Sequence, residues 1–315
     1  MRMETVLEPE ALVGTDTDFR AASLRVLEYL RSHVPMGFWS ITRIENERQS
    51  YLVLGENDYG LPEGGSHPWD NSLCIRMVAG LGPRIAPVAG AVPAYAGAAV
   101  REAVPIGAYS GSPILDVDGS VFGVICGISP RPYEGPGPEA QPLIDLLSGL
   151  LTSVVRGERV RAEMERAQLM SFAERDRDPV TGLAQRRTWD MTLSNEQDRF
   201  GRLADPTCVL FLQARSVSSS PDDVARRTAS VLRAATTVTD VVVRLEDSYG
   251  VLLTNADEKR GLQVAESVID RLTDLEVVGS VGVASWRPAE GPAAAVEEAL
   301  AQLGADAAVH SRRSG

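Results

Sequence analysis

The chain has 315 residues, 44% of them hydrophobic and 23% charged, which is long enough for two domains that each have a core. Its 43 acidic and 31 basic side chains give a formal net charge of −12, and a surface of that sign repels phosphate backbones. No apolar run approaches the ~20 residues that a membrane-spanning helix needs. We therefore expect neither nucleic acid nor a membrane among its partners.

The cysteines and the first residues indicate the compartment. Cys74, Cys126 and Cys208 are far apart and odd in number, which fits a reducing environment. Residues 1–15 carry acidic side chains and lack the apolar core of a signal peptide. We predict a disordered lead-in to a cytoplasmic protein. No cysteine has metal-site spacing and the chain has three histidines, so neither a metal nor another cofactor is expected.

The first half predicts one helix followed by four strands. The helix covers residues 16–33, where apolar side chains recur at helical steps. The strands are predicted at residues 38–44, 50–55, 106–115 and 120–128. Between the last two strands, Asp116-Val-Asp-Gly119 has the Asp-Gly chemistry of a tight hairpin. The first domain is predicted to cover residues 16–137.

A long helix is predicted over residues 138–177. Apolar side chains repeat there at 3- and 4-residue steps, and Arg and Glu flank them, a pattern typical of a signalling coiled coil. The apolar seam consists of Leu143, Leu147, Leu150, Val154, Val160 and Met164. We predict that this helix forms a homodimer, in either parallel or antiparallel orientation. The alternative is one amphipathic helix that lies on its own domain.

The second half alternates helix and strand, which predicts an α/β (α+β) domain with a central sheet. Helices are predicted at residues 184–200, 222–235, 258–275 and 293–308. Strands are predicted at residues 208–214, 241–244, 249–253 and 277–286.

One string in this half is specific. Asp178-Pro-Val-Thr-Gly-Leu-Ala-Gln-Arg-Arg187 resembles the DxLTGLxNRR opening of GGDEF domains, the family that includes the diguanylate cyclases. "TDVVVRLEDSYGVLL", "GSVGVAS" and "GADAAVHSRR" are similar to later segments of that family in order and spacing. The resemblance covers residues 178–315 and implies a GGDEF-like domain in bacterial cyclic-di-GMP signalling.

The family's Gly-Gly-Asp/Glu-Glu-Phe signature falls on Glu246, Asp247, Ser248, Tyr249 and Gly250, and none of its residues is kept. In active members the two glycines let the backbone approach the GTP phosphates. Here the side chains of Glu246 and Asp247 fill that space, and their charges repel a triphosphate. Ser248 replaces a carboxylate that holds Mg²⁺ and is a weaker ligand for a hard cation.

Other parts of the family's nucleotide site are also altered. Gln213 stands where members have their second metal-binding acid, and residues 216–225 replace a longer guanine-recognising loop. Since phosphoryl transfer depends on positioning and charge neutralisation, the resemblance implies a degenerate domain that is not an enzyme. The family's RxxD product site falls on residues 237–240, where Asp240 remains without the arginine. We interpret Asp240 as a turn residue at the start of a strand.

Residues 19–131 resemble a GAF domain, a sensor fold built on an antiparallel sheet. "SLCIRMVAGLGPRIAPV" and "IGAYSGSPILDVDGSVFGVICGISPRP" carry the resemblance, which implies a pocket for an unknown small molecule. The candidate pocket residues are Trp39, Trp69, Ser72, Cys74, Tyr109 and Cys126. Trp39 and Cys126 also fit the core of the domain. Cys74 fits a redox thiol or a chromophore anchor, although the histidine that adjoins a bilin-binding cysteine is absent.

These features favour a non-catalytic signalling protein. A GAF sensor would act through a dimeric helix on a degenerate GGDEF domain that contacts a protein partner. One alternative is an effector that binds GTP or cyclic-di-GMP without turnover, and another is residual diguanylate cyclase activity. The sequence does not identify the sensor's ligand or the downstream partner.

Overall fold

The computed structural model describes residues 18–34, 36–56, 59–133, 137–287 and 291–313. The predicted lead-in, residues 1–15, lies outside the described residues. The chain divides into two compact units. The first unit contains residues 1–62 and 66–159, and the second contains residues 63–65 and 160–315.

Within its described residues, the first unit has a six-stranded sheet of order β3-β2-β1-β6-β5-β4, and every pair is antiparallel. The strands are β1 (Phe38–Glu45), β2 (Arg48–Leu54), β3 (Ser66–Pro68), β4 (Ile85–Ala86), β5 (Ala108–Leu115) and β6 (Val121–Ser129). The helices are α1 (Phe19–His33), α2 (Leu73–Val78), α3 (Pro93–Ala96) and α4 (Val100–Ala103). The predicted helix and four strands are thus confirmed within a few residues.

Local chemistry explains where these elements begin and turn. The Asp18 carboxylate accepts a hydrogen bond from Arg20 N at 2.9 Å and caps α1. The predicted β5–β6 hairpin forms, with Asp116 N donating to Ser120 O at 2.9 Å. Gly119 lies there at φ +84°, a conformation that glycine adopts without strain. The hairpin places β6 at the centre of the sheet, between β1 and β5.

The long helix predicted over residues 138–177 is present as α5 (Gln141–Ala173), which is a few residues shorter at each end. Its first part packs on its own unit: Ile144, Leu151 and Val155 are buried, and Leu115 N donates to Thr152 Oγ1 at 3.1 Å. Arg159 continues this face with an ion pair of 2.7 Å to Asp116. The part of α5 that belongs to the first unit therefore packs one face on that unit.

The second unit contains a four-stranded antiparallel sheet, of order β10-β7-β9-β8 in the part that the structure describes. The strands are β7 (Thr207–Arg215), β8 (Val241–Arg244), β9 (Tyr249–Thr254) and β10 (Val278–Ser285). The helices are α6 (Arg186–Leu203), α7 (Pro221–Ala235), α8 (Glu258–Asp274) and α9 (Gly291–Arg313). Two apolar clusters flank this sheet, one including Leu210, Leu232 and Val268 and the other including Val209, Trp189 and Ala299. The predicted mixture of helices and a central sheet is confirmed.

Among the described residues, no helix is both long enough and apolar enough to span a membrane.

Candidate functional site

A cavity of about 290 Å³ opens in the second unit, at one end of its sheet. The end of β7, the start of α7 and the turn between β8 and β9 form its walls. Polar and charged side chains dominate the lining. They are Arg215, Ser216, Ser219, Arg244, Glu246, Asp247 and Ser248.

The turn between β8 and β9 brings four of the five signature positions to this cavity. Leu245 N donates to Ser248 O at 2.8 Å and closes the turn. Glu246 and Asp247 are exposed at the tip, whereas Ser248 is half-buried. Tyr249 lines the cavity and begins β9, where burial raises the pKa of its hydroxyl. Two carboxylates therefore lie at the mouth of the cavity.

Gly250, the fifth signature position, lies in β9 away from the cavity lining. A Cβ atom added there would come within 3.0 Å of the Trp189 ring. That ring packs edge-on against Phe211, with centroids 5.4 Å apart, and Phe211 is the cross-strand partner of Gly250. The missing side chain at residue 250 is thus what lets Trp189 cover the sheet.

The start of α7 contributes Pro221, Val224 and Ala225 to the lining and carries two acidic side chains outside it. Ser220 caps the helix, accepting a hydrogen bond from Asp223 N at 3.2 Å. Asp222 and Asp223 occupy the first turn, where carboxylates interact favourably with the helix dipole. The backbone N–H groups and the positive end of this dipole are therefore already matched by the chain's own side chains.

Two arginines line the cavity, and one of them, Arg244, forms an ion pair with Asp178. Arg244 Nη1 donates to Asp178 Oδ1 at 3.0 Å. Burial alone would raise the pKa of Asp178, but donation from Thr181 and Arg244 holds it below its usual value. Arg215 is exposed at the end of β7. Of the two arginines that line the cavity, Arg215 is the more exposed to solvent.

The Asp178–Arg187 string serves as a structural clamp beside this cavity. The Asp178 carboxylate accepts from Thr181 N at 2.8 Å and from Thr181 Oγ1 at 2.6 Å. Arg233 Nη2 donates to Thr181 O at 2.8 Å. The loop ends in a bridge between Ala184 and Val243, which attaches it to the edge strand β8. This string therefore positions the start of β8 and the turn that follows.

The structure does not bring Gln213 into the cavity lining. Gln213 is exposed on β7, pairs with Ser280 of β10 and lies one residue beyond the Leu212–Tyr249 pair. Side chains two residues apart lie on the same face of a strand, so Gln213 shares its face with Arg215, which does line the cavity. Among the described residues, no cluster of three or more His, Cys, Asp or Glu side chains could hold a metal ion.

Asp240 is committed to internal contacts. Its carboxylate is buried and accepts from Thr237 N at 2.8 Å and from Thr254 N at 3.1 Å. Arg260, on α8, completes the set with an ion pair of 3.0 Å. These bonds join the turn before β8 to the end of β9, which fits the interpretation of Asp240 as a turn residue.

A second cavity, of about 30 Å³, lies in the first unit. It brings together Ser72, Cys74, Tyr109 and Cys126 of the predicted pocket residues, whereas Trp39 and Trp69 are not in its lining. Trp39 is a core residue whose Nε1 donates to Val34 O at 2.9 Å. Trp69 packs on the apolar cluster that surrounds the cavity.

Gln49 and His67 also line this second cavity. Sequence interpretation missed Gln49 and set His67 aside as a solvated loop histidine. Gln49 stands between Arg48 and Ser50 in sequence, so nothing in its neighbours indicates burial. Pairing of β2 with both β1 and β3 encloses it. Burial, with the nearby charge of Arg48, lowers the pKa of His67.

No protein-family model matches the chain, and no curated protein matches it. Solved structures of GGDEF or diguanylate cyclase domains are similar to part of it. The GGDEF domain of FimX from Pseudomonas aeruginosa is 15% identical with a TM-score of 0.40, and the match covers 44% of this chain and 95% of that one. Diguanylate cyclase SiaD from the same organism, in complex with its activator SiaC, is 23% identical over 56% of this chain and 73% of that one, with a TM-score of 0.40. The coiled coil and GGDEF domain of DgcB from Caulobacter crescentus, in complex with c-di-GMP, is 19% identical with a TM-score of 0.40. That match covers 54% of this chain and 95% of that one.

Proposed function

We propose that this chain is a non-catalytic cytoplasmic signalling protein. In this proposal a GAF-like sensor acts through a dimeric helix on a degenerate GGDEF-like domain. That domain works by binding a protein or a ligand and forms no cyclic-di-GMP.

The observation that carries the proposal is the charge around the larger cavity. Glu246 and Asp247 lie at its mouth, and Asp222 and Asp223 occupy the adjoining helix start. A triphosphate brought there would meet like charges in place of glycine backbone. Metal ions neutralise such charge in phosphoryl transfer, and Ser248 offers a hydroxyl where a carboxylate would hold Mg²⁺.

The dimeric helix is supported by the second face of α5. Leu146, Leu150, Val160 and Met164 are between 50% and 63% exposed. Leu146 and Val160 are two heptads apart, as are Leu150 and Met164, so they occupy matching positions of a coiled-coil seam. Of the other predicted seam residues, Leu143, Leu147 and Val154 are half-buried. The exposed seam and the face of Ile144, Leu151 and Val155 leave α5 able to contact its own unit and a second copy at once.

An effector that binds nucleotide without turnover is the second candidate. The cavity volume of about 290 Å³ and the exposed Arg215 guanidinium favour it, because arginine is suited to bidentate contact with phosphate. The same guanidinium is equally suited to a carboxylate of a protein partner.

Calorimetric titration of the full chain with GTP and Mg²⁺, and separately with cyclic-di-GMP, tests the proposal. We expect no saturable heat at ~1 mM of either nucleotide. Saturable binding without product, abolished by Arg215→Ala, would replace the proposal with the nucleotide-binding effector. Binding that survives Arg215→Ala would place the nucleotide outside this cavity and leave the proposed role of the cavity intact.

A further inference from the structure

The smaller cavity, in the first unit, is lined by two cysteines, and both side chains are buried. Cys74 lies in the first turn of α2 and Cys126 lies on β6, so the cavity adjoins a helix and the centre of the sheet. The two residues are far apart in sequence, but they line one cavity of about 30 Å³, and a disulfide requires such neighbouring side chains.

One hydrogen-bond donor reaches Cys74. Gln49 Nε2 lies 3.3 Å from the Cys74 sulfur and 3.0 Å from Thr42 Oγ1. The neighbouring side chains of Cys126, Tyr109 and Gln49 lower the pKa of Cys74 against the opposing effect of burial. The pKa of Cys126 is raised well above its usual value by the neighbouring Cys74 and by burial. The pair therefore consists of one activated sulfur and one thiol that keeps its proton, since the thiolate is the nucleophile.

Two polar atoms in this cavity lack a regular hydrogen-bond partner among the described residues. They are the Tyr109 hydroxyl and Gln49 Oε1, on side chains that are 1% and 2% exposed. Buried polar atoms without partners are costly, so a small polar molecule that accepts from Tyr109 and donates to Gln49 would stabilise the site. The cavity volume of about 30 Å³ admits a molecule of water-like size and excludes bulky thiols and disulfides.

We propose that Cys74 and Cys126 form a redox-active pair that is oxidised to a disulfide by a small hydroperoxide. The Cys74 thiolate attacks one peroxide oxygen, the O–O bond breaks, and the departing oxygen takes up a proton and leaves as water or an alcohol. The Cys74 sulfenic acid that results is attacked by the Cys126 sulfur. The S–O bond breaks, the S–S bond forms and a second water leaves. In total, two thiols and one hydroperoxide give one disulfide, one alcohol or water, and one water.

This inference concerns the first unit and does not depend on the function proposed for the second. Closing the bond would draw α2 and β6 together, because sulfurs in a disulfide lie closer than sulfurs that share a hydrogen bond. The cavity between them is lined by side chains of α2, α4, β1, β2, β3, β5 and β6. Oxidation would therefore alter the sensor pocket itself.

Mass spectrometry of the full chain treated with hydrogen peroxide tests the pair. The wild type is expected to lose the mass of two hydrogen atoms, and peptide mapping without reductant should join the Cys74 and Cys126 peptides. Cys126→Ala should instead gain one oxygen atom at Cys74, trapped by a sulfenic-acid reagent, and Cys74→Ala should do neither. Cys208→Ala is the matched control. The pKa of Cys208 is raised to about 12 by burial and by nearby acidic charge, so its removal should leave the mass loss unchanged.

The wild-type peptide map keeps the test decisive even where a variant fails to fold. Folded wild type, verified by circular dichroism, that shows no Cys74–Cys126 linkage under excess peroxide would overturn the proposal. A linkage that involves Cys208, or a mass loss that persists in Cys74→Ala, would overturn it as well.

Discussion

Gly250 shows how one residue can fix the packing of the sheet beside this site. It lies opposite Phe211, and the Trp189 ring occupies the space that a side chain at residue 250 would need. A larger side chain at residue 250 therefore requires a change at Trp189 as well.

We predict that Gly250→Phe lowers the free energy of unfolding by about 1–3 kcal/mol, because the added ring overpacks a filled core. Urea denaturation measures the change. When Gly250→Phe is combined with Trp189→Ala, the loss in free energy of unfolding should be smaller than the sum of the losses in the two single variants. The reason is that removing the indole makes room for the new ring. Strict additivity would show that the two side chains do not share one space.

Individual pocket residues were only partly predictable from the sequence. Cys74, Tyr109 and Cys126 line one cavity. They could be predicted because each occurs in a segment with a recognisable pattern of helix or strand. Gln49 does not stand out, since its burial depends on two neighbouring strands, of which β3 has three residues. Trp39 was predicted for the pocket, but its side chain points into the core and bonds to Val34. Which face a strand residue occupies depends on register, and register is a property of the pairing.

At the scale of elements, α5 presents two apolar faces, one buried and one exposed. The face of Ile144, Leu151 and Val155 is buried, whereas the face of Leu150 and Met164 is exposed. Of the six seam residues predicted from sequence spacing, Leu150, Val160 and Met164 are exposed, and the other three are half-buried. Sequence spacing therefore identified only part of the exposed face. It did not reveal that polar residues such as Ser148 and Thr152 would also be buried through hydrogen bonds to β5, because such bonds leave no periodic signal.

We predict that Leu150→Asp converts a dimer into a monomer, because it places an unpaired charge in an apolar seam. Light scattering during size-exclusion chromatography measures the mass. Leu262→Asp on α8 is the matched control, since Leu262 and Leu150 are both 54% exposed. A Leu150→Asp variant with the wild-type dimer mass would show that this seam is not the dimer contact.

The elements themselves were predictable because apolar periodicity and turn residues are strong in this chain. The strands β3 and β4, of three and two residues, were missed. Segments of that length carry too few residues to establish an alternating pattern. Gln213, assigned to a lost metal position from the family resemblance, lies on β7 outside the cavity lining, two residues before the lining residue Arg215.

For the molecule as a whole, paired carboxylates determine how stability changes with pH. Burial alone would raise the pKa values of Asp116 and Asp178, but hydrogen bonds from Arg159 and Val117 to Asp116, and from Thr181 and Arg244 to Asp178, lower both values. A group whose pKa is lower in the folded state binds fewer protons there than in the unfolded state. Its stabilisation is therefore complete above the unfolded-state pKa of about 3.9 and is lost as the pH falls toward the folded value.

We predict that the melting temperature is steady from about pH 7 to pH 5 and falls from about pH 4 downward. Thermal denaturation across this range measures it. The variants Asp116→Asn and Asp178→Asn should melt lower at neutral pH and show a flatter acid slope, since the group that titrates has been removed. An unchanged slope in both variants would assign the acid response to other carboxylates.

We propose a molecule that senses through its first unit and binds through its second but does not form cyclic-di-GMP. Incubating the full chain with GTP and Mg²⁺, then separating the nucleotides by chromatography, tests this claim most directly. An active diguanylate cyclase in parallel verifies the assay. We predict that GTP is recovered unchanged at every protein concentration. Cyclic-di-GMP formed in proportion to the amount of this protein would contradict the account and show that Glu246 and Asp247 do not prevent catalysis.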